Sequence, residues 1–437
     1  MSKVPCILLA LCLVLLPAAA EPPLTLGEAA RSALERHPDL RVAQADVVLS
    51  EVRRDRAGAP YYPSLSGTVG VSHSESVGNS GGVNITRVGD FETYGVGFQA
   101  RYTVADFGRR SNASKAAEEG VVAAQDDYLN TRQELLLTVV DAFFNVLREQ
   151  ESVEIQTENV ANARARLEQA QAFVEVGVRA KIEVTRAQTD LAQAELGLIQ
   201  ARNAELRART NLAAAMGVGE PVTAPLSDSR LNDPQWEVET AYARALKTRP
   251  DVLAILARVE SARASVRAAE ADYNPSLAAS ASYNLRDQMF FPIARSWNVG
   301  LDLTFPIFNE PTLWAAVAEA EGQLVRLQAQ QDALLLEVRR QVTEAVLNLQ
   351  ESRERLKASV VASASARENF RLASERYQVG VGSALEVSDA QRVLVEAESQ
   401  EAQARLDLER AIARVYRNTG TLEPDLLGTG VTPGVAK

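Results

Sequence analysis

The chain has 437 residues, of which 46% are hydrophobic, 24% charged and only 5% aromatic, and its formal net charge is −11 from 46 basic and 57 acidic side chains. That acidity argues against nucleic-acid binding, which draws its affinity from neutralising phosphates. Two His and two Cys leave almost no material for a histidine base, a cysteine nucleophile or a His/Cys metal site, and no enzyme or cofactor is expected.

In chain order the first element is a leader. Lys3 precedes an apolar run from Ile7 to Leu16, closed by Pro17 and Ala18-Ala19-Ala20. A basic start, a short apolar stretch and small residues at the last and third-last positions describe a secretory signal peptide over 1–20. Cys6 follows Pro5 and Cys12 follows Leu11; neither has the small residue that lipidation requires before it, so the exported chain is expected to be non-lipidated and thiol-free. Beyond the leader the mean hydropathy is no guide to membranes: it is −0.12 for the chain, and no later run nears the roughly 20 apolar residues of a spanning helix.

The rest of the sequence is duplicated. Arg36-His37-Pro38-Asp39 recurs as Thr248-Arg249-Pro250-Asp251 and Tyr62-Pro63-Ser64-Leu65 as Asn274-Pro275-Ser276-Leu277, both at an offset of 212. From Gly97, which matches Gly300, to Gly217, which matches Gly420, the offset is 203; Val176-Gly177-Val178 and Val379-Gly380-Val381 are one such pair. The nine-residue difference is an insertion in the loop between Leu65 and Gly97. The first repeat is set at 21–217, a connector at 218–237, the second repeat at 238–420 and a flexible C-terminal tail at 421–437.

Each repeat opens with a Pro-interrupted helix (26–57 and 238–272), followed by two alternating segments. A very long helix follows (about 109–173 and 312–376), then a Gly-containing tip (174–184 and 377–387) and a returning helix (184–216 and 387–418). Sixty-five helical residues span ~98 Å at 1.5 Å per residue, so the helices must form a rod or tube. Ala187, Leu191, Ala194, Leu198, Ala201, Glu205 and Ala208 follow a 4-3 spacing, as do Ala390, Leu394, Ala397, Glu401, Ala404 and Leu408. Sustained heptads imply supercoiled helices, and small Ala at the seam permits close approach. Glu205 and Glu401 are either solvated interruptions of the seam or residues that set its register.

The alternating segments cover about 64–74, 92–105, 276–286 and 296–308. Tyr94, Val96, Phe98, Ala100, Tyr102 and Val104 alternate with polar or Gly residues, as do Trp297, Val299, Leu301 and Leu303. A period of two over about ten residues with aromatics towards the ends is the pattern of outer-membrane barrel strands. Four strands cannot close a membrane barrel, and an open edge in lipid leaves backbone groups unpaired. Closure therefore requires an oligomer, a dimer giving eight strands or a trimer twelve. Composition alone hides this membrane role because each chain contributes so little apolar surface.

The order helix, hairpin, long helix, Val-Gly tip and returning helix, duplicated after a signal peptide, resembles the TolC-like outer membrane efflux proteins (outer membrane factors) over nearly the whole mature chain. The most specific stretches are the tips, from Val176 to Val184 and from Val379 to Ala390. The resemblance implies a mainly α fold with a membrane β part: a homotrimer with a twelve-stranded barrel in outer membrane lipid and a periplasmic helical tunnel. It also implies a passive exit duct for efflux or type I secretion, docked to a periplasmic adaptor (membrane fusion) protein and an inner-membrane pump of RND, ABC or MFS type. Drugs, metal ions and proteins are all compatible as cargo. A trimeric autotransporter-type adhesin and a soluble periplasmic coiled-coil scaffold are the alternatives; the first needs four consecutive C-terminal strands, and the second needs hairpins outside the membrane.

The resemblance also implies site residues. Glu386 and Asp389 match paired acids that ring the tunnel entrance, although Ser383-Ala384-Leu385-Glu386 also fits a capping box. Tyr377 and Glu183 match members of a latch that closes the gate, while the position of its arginine is Gly382. Arg179 is read first as an exposed tip charge and alternatively as a substitute for that arginine. Adaptor docking falls on Val176, Gly177, Val379 and Gly380. Asp106-Phe107-Gly108 is read as turn chemistry, and His37 and His73 as ordinary surface residues.

Overall fold

A computed structural model describes residues 23–79, 85–291 and 294–428. The signal peptide assigned to 1–20, with both cysteines, lies outside the described residues. Each half of the chain opens with two helices broken at a proline: α1 Leu26–Arg36 and α2 Pro38–Gly58 in the first, α5 Val238–Thr248 and α6 Pro250–Glu270 in the second. Proline is tolerated at a first helical position, where its missing N–H has no partner to lose. Thr25 and Glu28 close a reciprocal capping box on α1, at 3.2 and 2.9 Å. His37 is half-buried at the break, and its Nδ1 accepts from the Asp39 N–H at 3.3 Å. This corrects the reading of His37 as an ordinary surface residue: its ring caps α2. At the equivalent break Arg249 is buried, bonded to Asp251 at 2.6 Å and to the Gln341 side chain at 3.0 Å.

Strands β1 Ser64–Asn79, β2 Ile85–Ala105, β3 Ser276–Asp287 and β4 Arg295–Thr304 form one antiparallel sheet in the order β1-β2-β3-β4. Directly paired residues project to the same face. One row therefore joins Gly67, Phe98, Tyr283 and Trp297, and another joins Val69, Val96 and Leu285 and ends on Arg295 at the first residue of β4. The adjacent rows carry Thr68, Gly97, Asn284 and Ser296, or Ser66, Gln99, Ser282 and Asn298. One face is mainly apolar and the other polar, and no helix among the described residues covers the apolar one: Val69 is 82% exposed, Trp297 73% and Leu301 71%.

Below the sheet, α3 Arg109–Glu175 returns through α4 Ile182–Ala215, and α7 Glu310–Gln378 through α8 Ala384–Asn418. The 67 and 69 residues of α3 and α7 make each about 100 Å long. The seam is buried at heptad spacing, through Ala194, Ala201 and Ala208 on α4 and through Ala390, Ala397, Ala404 and Ala411 on α8. Glu205 is not left to solvent; it pairs with Arg209 at 2.9 Å, and Arg209 donates to the Val222 and Ala224 carbonyls of the connector. The rod thickens midway, where Phe143 and Phe144 meet edge-to-face at 5.9 Å within a core that also takes in Leu26, Leu212 and Ile412.

The tail assigned to 421–437 needs correction over its first eight residues. Leu422 and Leu427 are buried in that same core, and helix α9 Pro424–Gly428 lies against α1. Two leucines burying their surface outweigh the Gly and Pro that suggested flexibility. Residues 429–437 lie outside the described residues.

Candidate gate at the helical tips

Both long helices end in the same way. Gly177 and Gly380 have φ of +76° and +83°, values that L side chains rarely adopt. The Val178 N–H reaches the Phe173 carbonyl and the Gly177 N–H the Val174 carbonyl, both at 3.0 Å. In the second repeat Val381 reaches Arg376 and Gly380 reaches Tyr377 at the same distances. These are paired Schellman caps, which satisfy the last carbonyls of each helix. They leave Val176 and Val178 on one tip, and Val379 and Val381 on the other, 66–74% exposed at the end of the rod.

The two tips are tied together by side chains. The Tyr377 hydroxyl donates to Glu183 Oε2 at 3.2 Å, and the Tyr377 ring packs edge-to-face on Phe173 at 5.8 Å. Burial pushes the Tyr377 phenol up, and the Glu183 carboxylate adds to the shift, so the hydroxyl stays a donor. Arg179 leans over the same ring with its guanidinium carbon 5.6 Å from the centroid. Its Nη2 donates to the Gly382 carbonyl at 3.1 Å and the Gly380 carbonyl at 3.4 Å, while Nη1 lies 3.6 Å from Glu183. Arg179 is thus no free tip charge. It spans both tips from the opposite side to the absent arginine, and a Cβ at Gly382 would lie 3.0 Å from the Tyr377 nitrogen.

Further contacts between the repeats carry no motif of their own in the sequence. Ser388 donates to Asp190 at 2.7 Å and the Gln391 amide to Asn159 at 3.1 Å. The available signal is the offset of 203: Arg179 corresponds to Gly382 and Asp190 to Val393, so at each position a polar residue stands where the other repeat has an apolar one. Tyr377, Glu183, Asp190, Ser388 and Arg166 line one cavity of about 210 Å³ between the repeats.

Glu386 and Asp389 stand apart from this cluster, lining a separate open depression of about 420 Å³ with Asn369 and Val393. Ser383 Oγ accepts from the Glu386 N–H at 3.2 Å. The Glu386 carboxylate does not return to the cap but lies 3.4 Å from Arg376, so only half of the capping box forms. Asp389 is exposed, with no cation within ion-pair distance among the described residues. Also among the described residues, no three His, Cys, Asp or Glu side chains stand together to hold a metal ion, and no helix is long and apolar enough to cross a membrane.

The family model for outer membrane efflux proteins matches residues 29–218 and again 241–421, once for each repeat. The chain belongs to the outer membrane efflux protein family. Among its relatives, the pyoverdine export outer membrane protein OpmQ of Pseudomonas aeruginosa is 28% identical over 89% of this chain and 83% of its own. The outer membrane protein TolC of Vibrio cholerae is 25% identical over 94% of each. The solved outer-membrane channel OprN superposes with a TM-score of 0.78 at 24% identity, over 91% of this chain and 90% of that one. Family membership assigns the sheet to the outer membrane and the helical rod to the periplasm.

Proposed function

We propose that three copies of the chain close a twelve-stranded barrel and a continuous helical tunnel, forming the passive exit duct of a tripartite efflux or type I secretion system. One observation carries this reading: a two-faced, open-edged sheet sits at the end of a rod about 100 Å long, within a duplicated chain of this family. The apolar face meets lipid and the polar face lines the pore. Unpaired edges in a bilayer cost several kcal/mol per backbone group, which favours closure by further copies. A periplasmic adaptor docks on the tips through Val176, Gly177, Val379 and Gly380 and couples the duct to an inner-membrane pump. Tyr377, Glu183 and Arg179 latch the first tip to the second, and Glu386 and Asp389 supply a ring of carboxylates at the entrance. The duct performs no chemistry. Its cargo is set by the pump, because a lining that must release what it passes needs no binding pocket.

Purified mature protein from outer-membrane fractions is expected to have a trimer's mass in detergent and to give discrete conductance steps in planar bilayers. A monomer without conductance overturns the reading.

A further inference from the structure

The outer rows of the sheet hold a charge that neither the barrel nor the gate uses. Moving along the apolar face away from the rod, β4 presents Leu303, Leu301, Val299, Trp297 and then Arg295. The neighbouring strands keep the same rows apolar, with Ala279 beside Tyr102, Ala281 beside Ala100 and Tyr283 beside Phe98. Arg295 is the first charged side chain met on that path among the described residues, and Leu285, Val96 and Val69 complete its row. The eight residues from Leu303 to Arg295 make about 27 Å of strand. At a tilt of about 40° that is about 20 Å of membrane height, against an apolar band about 25 Å tall. Phe305 and Ile307, both exposed, remain for the inner boundary. Arg295 therefore stands at the outer boundary, one row outside the aromatic row of Phe98, Tyr283 and Trp297.

An arginine on a lipid-facing strand is costly at the bilayer midplane and nearly neutral at the interface, where its guanidinium reaches the headgroups. Arg295 is exposed, with no carboxylate within ion-pair distance among the described residues. By the offset of 203 its equivalent is Glu92, whose carboxylate accepts from the Tyr94 hydroxyl at 2.8 Å. The first repeat thus carries the opposite charge, and the feature occurs once per chain. The loop between β3 and β4 adds an aromatic wall. Met289, Phe290 and Phe291 are 58–78% exposed; the Phe290 ring meets Tyr94 edge-to-face at 5.5 Å and Phe291 at 5.2 Å. Tyr94 pairs with Val71 and Asp287 one row outside Arg295, so the Phe290 ring lies on the apolar side of the sheet just beyond the arginine. Asp287 is engaged by its own loop, accepting from the Gln288 N–H at 2.7 Å.

The geometry points to a binding site for a phosphorylated glycolipid of the outer leaflet. Arg295 takes the phosphate, Phe290 and Phe291 stack on the sugar, and the acyl chains run inward over Trp297, Val299 and Leu301. The inference rests on the apolar face meeting outer-membrane lipid, and it adds which lipid is held and where. A planar guanidinium donates two parallel hydrogen bonds to phosphate oxygens. The C–H faces of a sugar ring are apolar and match the flat face of an aromatic ring. A free phosphate would use the arginine alone; the apolar run directly beneath Arg295 favours a phosphate carried on acyl chains. A lipid with an uncharged head would leave the guanidinium unpaired at the boundary.

The test is native mass spectrometry of the purified mature protein in detergent with two probes, lipid A bisphosphate and the same lipid stripped of its phosphates. The wild type is expected to retain up to one bisphosphate lipid per chain and to hold the stripped lipid about five- to tenfold more weakly, the loss of one charge contact at headgroup level. Equal retention of the two lipids overturns the proposal, and that comparison needs no variant. Arg295→Gln is expected to lose the same factor for the bisphosphate lipid and nothing for the stripped one. Wild-type retention of the bisphosphate lipid by Arg295→Gln overturns the proposal. So does displacement of the lipid by inorganic phosphate over the same concentration range, which marks a site for the free anion. Failure of the underlying reading shows separately. In vesicles, brominated acyl chains are expected to quench the part of the fluorescence that Trp297→Phe removes. Absence of that quenching takes the apolar face out of the bilayer, whereas quenching with equal retention of both lipids rejects the lipid site alone.

Discussion

At the scale of the residue, Arg179 makes two hydrogen bonds from the first tip to the second where Tyr377 makes one in return. It touches two carbonyls, one carboxylate and the Tyr377 ring, whereas Tyr377 offers its partner repeat one hydrogen bond. A hydrogen bond is worth about 1 kcal/mol net, enough to move a closed–open balance several-fold in each copy. Arg179→Ala is therefore expected to raise bilayer conductance and sensitivity to a large antibiotic more than Tyr377→Phe does; equal or reversed effects would remove Arg179 from the latch. Glu409 makes a separate case far from the tips. It is buried on α8, and its Oε2 accepts from the Leu231 N–H of the connector at 2.8 Å. Burial pushes its carboxyl up to about 7, while the Leu231 N–H and Arg230 pull the other way and Asp228 and Asp233 raise it further. The folded chain thus holds a proton that the unfolded chain, with an ordinary value of 4.5, gives up, so stability falls as pH rises between about 4.5 and 7. Glu409→Gln is expected to be close to wild type at pH 5 and more stable at pH 8, by on the order of 3 kcal/mol per chain, read as a higher thermal midpoint. A constant difference across that range would mean the carboxyl is charged throughout.

At the scale of the element, glycines of positive φ close different helices under unequal constraint. Gly177 and Gly420 both have positive φ, but a Cβ at Gly177 meets open space while one at Gly420 would lie 2.5 Å from the Thr248 carbonyl oxygen. Gly177→Ala is expected to cost about 1 kcal/mol of backbone strain. Gly420→Ala must in addition force the end of α8 away from the break before Arg249, so its thermal midpoint should fall well below that of Gly177→Ala. The sheet has an analogous asymmetry between its faces. Leu301→Arg on the apolar face is expected to lower assembly yield, by about 2–4 kcal/mol near a bilayer midplane. Asn298→Arg on the polar face should assemble and shift ion selectivity. What was legible in the sequence is what local rules govern. The heptad alanines, the prolines at 38 and 250, and the alternation from Tyr94 to Val104 each fix an element through neighbours a few residues away. Which of the two readings of Arg179 holds was not legible, because the partners of a long flexible side chain depend on how two tips 203 residues apart come together. The packed tail was missed for a related reason. Leu422 and Leu427 have no periodic pattern to read; they find their place only once α1 is folded and presents a surface.

At the scale of the whole molecule, the two acidic residues near the second tip have different surroundings, and in an oligomer that difference is multiplied. Glu386 faces Arg376 at 3.4 Å, so much of its charge is already balanced within its own copy. Asp389 has no such partner among the described residues and is exposed. Around the axis of a trimer, three Asp389 carboxylates would repel one another and draw in multivalent cations, since like charges gathered at a constriction lower their energy by binding counter-ions. The proposed ring therefore divides its work unequally. Asp389→Ala is expected to weaken the block of bilayer conductance by multivalent cations more than Glu386→Ala, and the double variant should exceed the Asp389 variant only slightly. Because part of the effect of Glu386 is to hold Arg376, Glu386→Ala frees a cation beside the ring, and its removal should weaken cation binding even where Asp389 is intact. Arg376→Ala reverses that sign: with Glu386 unbalanced, block should become tighter than in the wild type. Cation sensitivity unchanged in all these variants would place neither acid at the constriction.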